Sequence, residues 1–283
     1  MTQIVESVAI QDFPLWARMK AARGLISFDL EVTARCNNNC RHCYINLSAG
    51  DRDARSRELT LQEIGCIADQ AIELGALWVL ISGGEPLLRE DFPEIYMLLK
   101  RKGLLVSVFT NATLVRDEHI ALFKRYPPRD IEVTVYGATK ETYERVTGRL
   151  GSFDAFTAGL NRLLECGAKV RLKAMAIRSN LHKLEAIADF CRARTKDYFR
   201  FDFQLHLRFD RNEERNRLIE SERLTPEEIV ALEMKDAERF ASLRENCDIL
   251  IDGSSSHAGC DHLFHCGLGN SSFNVGFDGT FRL

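Results

Sequence analysis

From residue 26 to residue 33, apolar Ile26, Phe28, Leu30 and Val32 alternate with polar Ser27, Asp29, Glu31 and Thr33. A period of two predicts a strand with two different faces. Thr60 followed by Glu63 forms a capping box, and Leu61, Ile64, Ala68, Ala71 and Ile72 share one helical face before Gly75, so a helix is expected there. Residues 77–81 read as a buried strand. The alternation continues with a helix over 91–103, a strand over 104–109, a helix over 117–125 and a strand over 131–136. A helix over 152–166, a strand over 170–177, a helix over 181–192 and a sixth strand over 199–207 complete the series. Strands and helices alternating through short links predict an α/β fold of parallel strands joined by right-handed crossovers.

Beyond residue 207 the pattern stops. Residues 208–223 are mostly charged and are expected to form a solvated connection. Thr225, Pro226 and Glu228 then cap a helix reaching to about residue 240. From 251 to 283 the composition shifts to Gly, Ser, His and Cys with little periodicity, which marks a domain boundary. The expected division is a lead segment (1–24), the alternating core (25–207), a charged connection with a helix (208–250) and a short C-terminal extension (251–283).

The chain has 283 residues, 45% of them hydrophobic, enough for one large core. Its 38 basic and 41 acidic residues nearly balance, so no general attraction to phosphate backbones is built in and nucleic acid is not expected as a partner. The N-terminal stretch carries Glu6 and Asp12 and lacks a basic leader with an apolar run, and nothing approaches the ~18 apolar residues of a membrane span. The expected location is cytoplasmic. Nine cysteines are many for a reducing compartment and point to metal or redox chemistry.

Three of them, Cys36, Cys40 and Cys43, stand as C-x3-C-x2-C directly after the first predicted strand, close enough for three thiolates to wrap one polynuclear cluster. Three ligands leave one iron of a four-iron cluster open to a cofactor or substrate. A zinc site is the alternative, although it wants four ligands and His42 lies awkwardly close to be the fourth. Gly83 and Gly84 follow the second strand, where a tight turn alone could require them. Asn111 ends the third strand and Tyr136 the fourth; Arg171 and Lys173 lie on the fifth, with Asn180 just beyond it. All these positions fall at or near the C-terminal ends of predicted parallel strands, where such folds assemble their sites. Cys66, Cys166 and Cys191 are expected to be core residues inside helices. Cys247, Cys260, His257, His262 and His265 show no recognisable ligand spacing.

The segment "EVTARCNNNCRHCY" resembles the signature of radical S-adenosylmethionine (SAM) enzymes, and "ISGGEPLL" resembles the second signature of that family. The resemblance implies a partial (β/α)6 TIM-like barrel. It also implies a [4Fe-4S] cluster on Cys36, Cys40 and Cys43, with SAM on the open iron, reductively cleaved to a 5'-deoxyadenosyl radical that abstracts hydrogen from a substrate. His42 takes the place of the residue near the adenine, and Gly83, Gly84 and Glu85 that of the segment receiving the methionine amino group. Asn111, in "FTNAT", matches an element facing the cofactor. The stretch "VTVYGATKETYERVTGRLGSF" is similar to a segment of peptide-modifying relatives, with Thr134 and Tyr136 where those often carry Ser and Asp as ribose contacts. Lys173 or Arg171 is expected to meet the SAM carboxylate.

Cys266 opens "CGLGNSSFNVGFDGTFRL", which resembles the start of a SPASM extension, a domain that binds auxiliary iron-sulfur clusters. Gly279 fits its second element, and the chain stops where another cysteine would stand, so it is expected to be cut short inside that domain. A β-hairpin turning at Asp278-Gly279 explains the same residues. SPASM-bearing relatives imply peptide or protein maturation, with an external electron donor and a separate leader-binding protein. A small-molecule substrate such as a sugar or alcohol is the second reading, and a non-enzymatic iron-sulfur protein the third.

Overall fold

The computed structural model describes residues 24–196, 199–251 and 271–283, with side chains of 245–251 excepted. Six strands form in the predicted series: β1 (Ser27–Thr33), β2 (Trp78–Gly83), β3 (Leu105–Thr110), β4 (Asp130–Val135), β5 (Val170–Met175) and β6 (Arg200–Asp202). Each pairs in parallel with the next. The α/β fold is that of a TIM-like partial barrel.

The helices are α1 (Arg52–Ser56), α2 (Leu61–Glu73), α3 (Phe92–Arg101), α4 (Asp117–Arg125), α5 (Lys140–Thr147), α6 (Ser152–Glu165), α7 (Leu184–Arg192), α8 (Glu213–Glu222), α9 (Pro226–Lys235) and α10 (Ala237–Ile251). α2 starts on the predicted box, Thr60 accepting from the Glu63 amide and Glu63 from the Thr60 amide. The same arrangement of Thr225 and Glu228 starts α9.

The two faces of β1 separate as its alternation requires. Phe28, Leu30 and Val32 are fully buried in the hydrophobic core, whereas Asp29 lines a cavity inside the barrel. Glu31 and Thr33 are also almost completely buried, so the polar face looks into the lumen rather than into water.

Four expectations need correction. The sixth strand is three residues long instead of spanning 199–207, because the Asp202 carboxylate accepts the Gln204 amide and turns the chain out of the ladder. Residues 208–223 are not simply a solvated connection: Asn212 caps α8 by accepting the Arg215 amide, and Ile219 and Glu222 are buried. α5 has no counterpart among the expected elements; Thr139 caps it, and Gly148 ends it at φ 63°. Cys66 is exposed on α2, while Cys191 is buried and Cys166 half-buried.

At the C-terminus, β7 (Ser272–Val275) pairs in parallel with β1, and β8 (Phe281–Arg282) returns antiparallel to β7. The turn lies at Asp278-Gly279, with Gly279 at φ 83° and Asp278 accepting from the Thr280 amide and hydroxyl. A β-hairpin forms in this segment, and it extends the sheet to eight strands in the order β8-β7-β1-β2-β3-β4-β5-β6. His257, Cys260, His262, His265 and Cys266 lie outside the described residues, as does the Cys247 side chain.

Candidate active site

The cysteine loop leaves β1 through Arg35 and Cys36, which pair in parallel with Leu47 and Ser48 and so close the loop at its base. Arg35 forms a buried bidentate ion pair with Glu58, at 2.7 Å from Nε and 3.1 Å from Nη2, and donates to the Ala49 carbonyl. Charge-assisted bonds of this kind fix orientation as well as position.

Two glycines weld the second signature to this base. The Gly84 amide donates to the Thr33 carbonyl at 2.7 Å and the Glu85 amide to that of Arg35 at 2.9 Å. A Cβ on Gly84 would stand 2.3 Å from the Arg35 carbonyl oxygen, and Gly83 has φ 133°. Backbone approach this close excludes any side chain at Gly84.

Glu85 is fully buried and does not line the cavity. Its carboxylate accepts from the Leu87 amide, the Thr110 hydroxyl and the Asn111 amide, tying the turn after β2 to the end of β3. Burial nevertheless pushes its pKa up to about 7 against those hydrogen bonds. Asn111 in turn donates to Asn37 at 2.9 Å and approaches the Cys36 sulfur at 3.8 Å.

Burial pushes the Cys36 thiol up to about 12 and raises Cys40 and Cys43 as well, while Arg208 and Arg215 oppose the rise at Cys43. Without a bound cation these thiols stay protonated; a metal supplies the charge that makes them thiolates. Among the described residues, no three His, Cys, Asp or Glu side chains are close enough to share one ion.

Unpaired polar atoms gather at the same place. Of the eight buried side-chain polar atoms without a hydrogen-bond partner among the described residues, five belong to Asn38, His42, Tyr143 and Arg149, in or against the cysteine loop. Buried polar groups are almost always satisfied, so this concentration fits a polar, acceptor-rich group at the cysteines.

A cavity of about 320 Å³ opens beside the loop and draws on all six core strands or the turns that follow them. Cys36, Cys40, Cys43, His42, Gly83, Gly84, Asn111, Thr134, Tyr136 and Lys173 all line it. Tyr136 lies beside Cys40, and its ring lies 5.2 Å from that of His42. Lys173 is held by Glu132 at 2.8 Å and lies 4.4 Å over the Phe109 ring, and it shares that single carboxylate with Arg200. Arg171 faces Asp130 at 3.9 Å. Asn180 is fully buried and braces the ends of β4 and β5 through the Tyr136 and Met175 carbonyls. A larger groove of about 490 Å³ between α7 and α9, lined by Ala188, Phe199, Phe201 and Leu232, contains none of these groups.

Several residues that position the site have no local sequence signal. Arg208 donates to the Asn46 carbonyl and side chain, and Arg215 to Asn39, Asn46 and the Cys40 carbonyl. Beside Cys43, the Tyr44 hydroxyl donates to Glu31 at 2.8 Å, and Arg282 of the hairpin donates to the other Glu31 oxygen at 3.0 Å.

The radical SAM superfamily model matches residues 30–191. The chain is 34% identical over 158 residues to Fe-coproporphyrin III synthase of Methanosarcina barkeri, covering 56% of this chain and 39% of that protein. It is 28% identical over 172 residues to a probable GTP 3',8-cyclase of Methanococcus maripaludis, covering 60% and 56%. The chain thus spans about half the length of these relatives or less. Among solved structures, Streptococcus suis SuiB bound to S-adenosylmethionine aligns over 98% of this chain and 67% of that one, with a TM-score of 0.62 and 15% identity. SuiB bound to its precursor peptide SuiA aligns over 100% and 66%, with a TM-score of 0.63 and 17% identity. With the family model spanning the barrel from β1 to α7, and a cysteine loop suited to a cluster, the chain belongs to the radical SAM superfamily of enzymes, which use a [4Fe-4S] cluster and SAM.

Proposed function

We propose that this chain initiates radical modification of a peptide or protein substrate. Cys36, Cys40 and Cys43 would hold three irons of the cluster, and the cavity lined by Gly83, Gly84, Asn111, Thr134 and Tyr136 would receive SAM. When bound, the cluster and SAM would supply a 5'-deoxyadenosyl radical able to take hydrogen from the substrate. The chain's own part is placement: Glu85 and the glycine pair set the turn after β2 against the cysteine loop, and Tyr136 lies beside Cys40. None of the cavity residues is assigned as a general base.

The observation carrying the peptide reading is likeness of fold to SuiB along the whole chain, the hairpin included, where SuiB has been solved with a precursor peptide. An exposed apolar rim near the mouth, with Leu207 and Phe209 beside Tyr44 and His206, suits a peptide side chain. A small-molecule substrate is the second reading, favoured by the relatives named for GTP cyclisation and porphyrin synthesis. We further propose an external electron donor, a separate leader-binding protein and a SPASM-type continuation carrying auxiliary clusters in a longer parent chain.

The test is anaerobic reconstitution with iron and sulfide, then incubation with SAM, dithionite and peptides encoded beside the gene, followed by mass spectrometry. Deoxyadenosine formation with a mass change in a peptide supports the first reading. Deoxyadenosine with unchanged peptides and a modified nucleotide or porphyrin supports the second.

A further inference from the structure

Three side chains against the cysteine loop carry buried donors with no acceptor among the described residues. Asn38 sits between Cys36 and Cys40, is 5% exposed, and has no partner at either amide atom. Tyr143 on α5 is fully buried, with its hydroxyl unpaired. Its ring is stacked on Phe156 at 4.6 Å and set edge-on to Tyr136 at 5.8 Å, which fixes where the hydroxyl points.

The approach of α5 depends on Gly137, where a Cβ would lie 2.5 Å from the Tyr143 amide nitrogen. The phenol consequently feels the charges of Cys40, Glu85 and Cys36, with Arg149 acting in the opposite sense. The Arg149 Nη1 is buried and without a partner among the described residues too, in a half-exposed residue that also lines a surface groove with Glu141 and Glu144. Its segment is fastened to the cysteine loop, since the Asn39 amide donates to the Thr147 carbonyl at 2.8 Å and a Cβ on Gly148 would stand 2.9 Å from the Asn39 carbonyl oxygen.

A buried donor without an acceptor costs about 1–3 kcal/mol, more when charged, so an amide, a phenol and a guanidinium gathered here imply an anionic acceptor. Iron-bound thiolates and sulfides are acceptors of that kind. We propose that Asn38, Tyr143 and Arg149 form a donor shell around the cluster and raise its reduction potential. Reduction adds one electron, hence one negative charge, to the cluster, and hydrogen-bond donors with a fixed cation stabilise the reduced form more than the oxidised one. These are positioning and tuning residues; the inference rests on the assignment of the cluster to the three cysteines.

The measurement is an EPR-monitored redox titration of the anaerobically reconstituted protein without SAM, with dithionite as the one-electron reductant. Arg149→Met and Tyr143→Phe should each lower the reduced-to-oxidised ratio at a fixed poise by up to about tenfold, equivalent to 59 mV for one electron. Arg149→Lys, which keeps the charge, should shift it less than Arg149→Met. An unchanged midpoint in both of the first two variants, with iron at the wild-type level, overturns the proposal, as does a shift to higher potential. If Asn38→Leu fails to take up iron, Tyr143→Phe still decides, since it removes only one oxygen atom. Failure of the cluster assignment itself would show differently, as wild-type protein that yields no iron-sulfur signal.

Discussion

Arg215 Nη2 on α8 lies 3.2 Å from the carbonyl oxygen of Cys40, joining residues 175 apart in the sequence. The same guanidinium holds Asn39 at 3.0 Å and Asn46 at 2.8 Å, so one side chain spans most of the cysteine loop. Removing it by Arg215→Ala should cost about 2 kcal/mol, the scale of a lost charge-assisted hydrogen bond, and should lower iron content per chain. Urea melts and iron assays on the reconstituted variant check both. Wild-type iron retention in air would show that α8 does not restrain the loop.

Replacing Cys36, Cys40 and Cys43 together by Ala should abolish deoxyadenosine formation while leaving the barrel folded, because the loop sits at the mouth and the core lies under the helices. Circular dichroism reports the fold and chromatography the product. Wild-type protein reconstituted without air should carry about four irons per chain; about eight would point to an auxiliary cluster in this chain as well.

Gly84→Ala should depress iron uptake along with SAM affinity. The added methyl would collide with the Arg35 carbonyl, so the strand leading into Cys36 has to move, at an overpacking cost of about 1–3 kcal/mol. Iron analysis and SAM binding by calorimetry on the same preparation test this. Normal iron content with weakened SAM binding would mean that Gly84 meets SAM without setting the cysteine loop.

His119 gives a pH effect away from the site. Burial lowers its pKa to about 4, and its Nδ1 accepts the Arg116 amide at 3.1 Å, a bond that only the neutral ring can make. The unfolded chain binds a proton near pH 6.5 and the folded chain does not, so this contribution to stability is present above about 6.5 and is lost as pH falls toward 4. Urea midpoints measured from pH 7 to pH 4 should fall less steeply in His119→Gln than in wild type. Equal slopes would place the acid sensitivity elsewhere.

Short-range pattern makes much of the molecule legible. The alternation in β1, the capping boxes at Thr60 and Thr225, and the spacing of Cys36, Cys40 and Cys43 are all local, and the backbone obeys local periodicity once a core exists. α8 escapes such a reading because its sequence is almost wholly charged, and charge alone does not distinguish a solvated segment from one whose arginines grip a distant loop.

By itself, then, the sequence determined the alternating core, the three-cysteine loop and the glycine turn beside it, since each is written in neighbouring residues. The tertiary structure alone decided that the polar face of β1 lines a lumen, that Glu85 braces the site from outside the cavity, and that Lys173 shares Glu132 with Arg200. It alone also set Tyr143 and Arg149 against the cysteine loop and laid β7 on the edge of β1. The physical reason is common to all of these: a buried charge or an edge strand takes its partner from whatever the folded chain brings near, and that proximity is a property of packing rather than of sequence spacing.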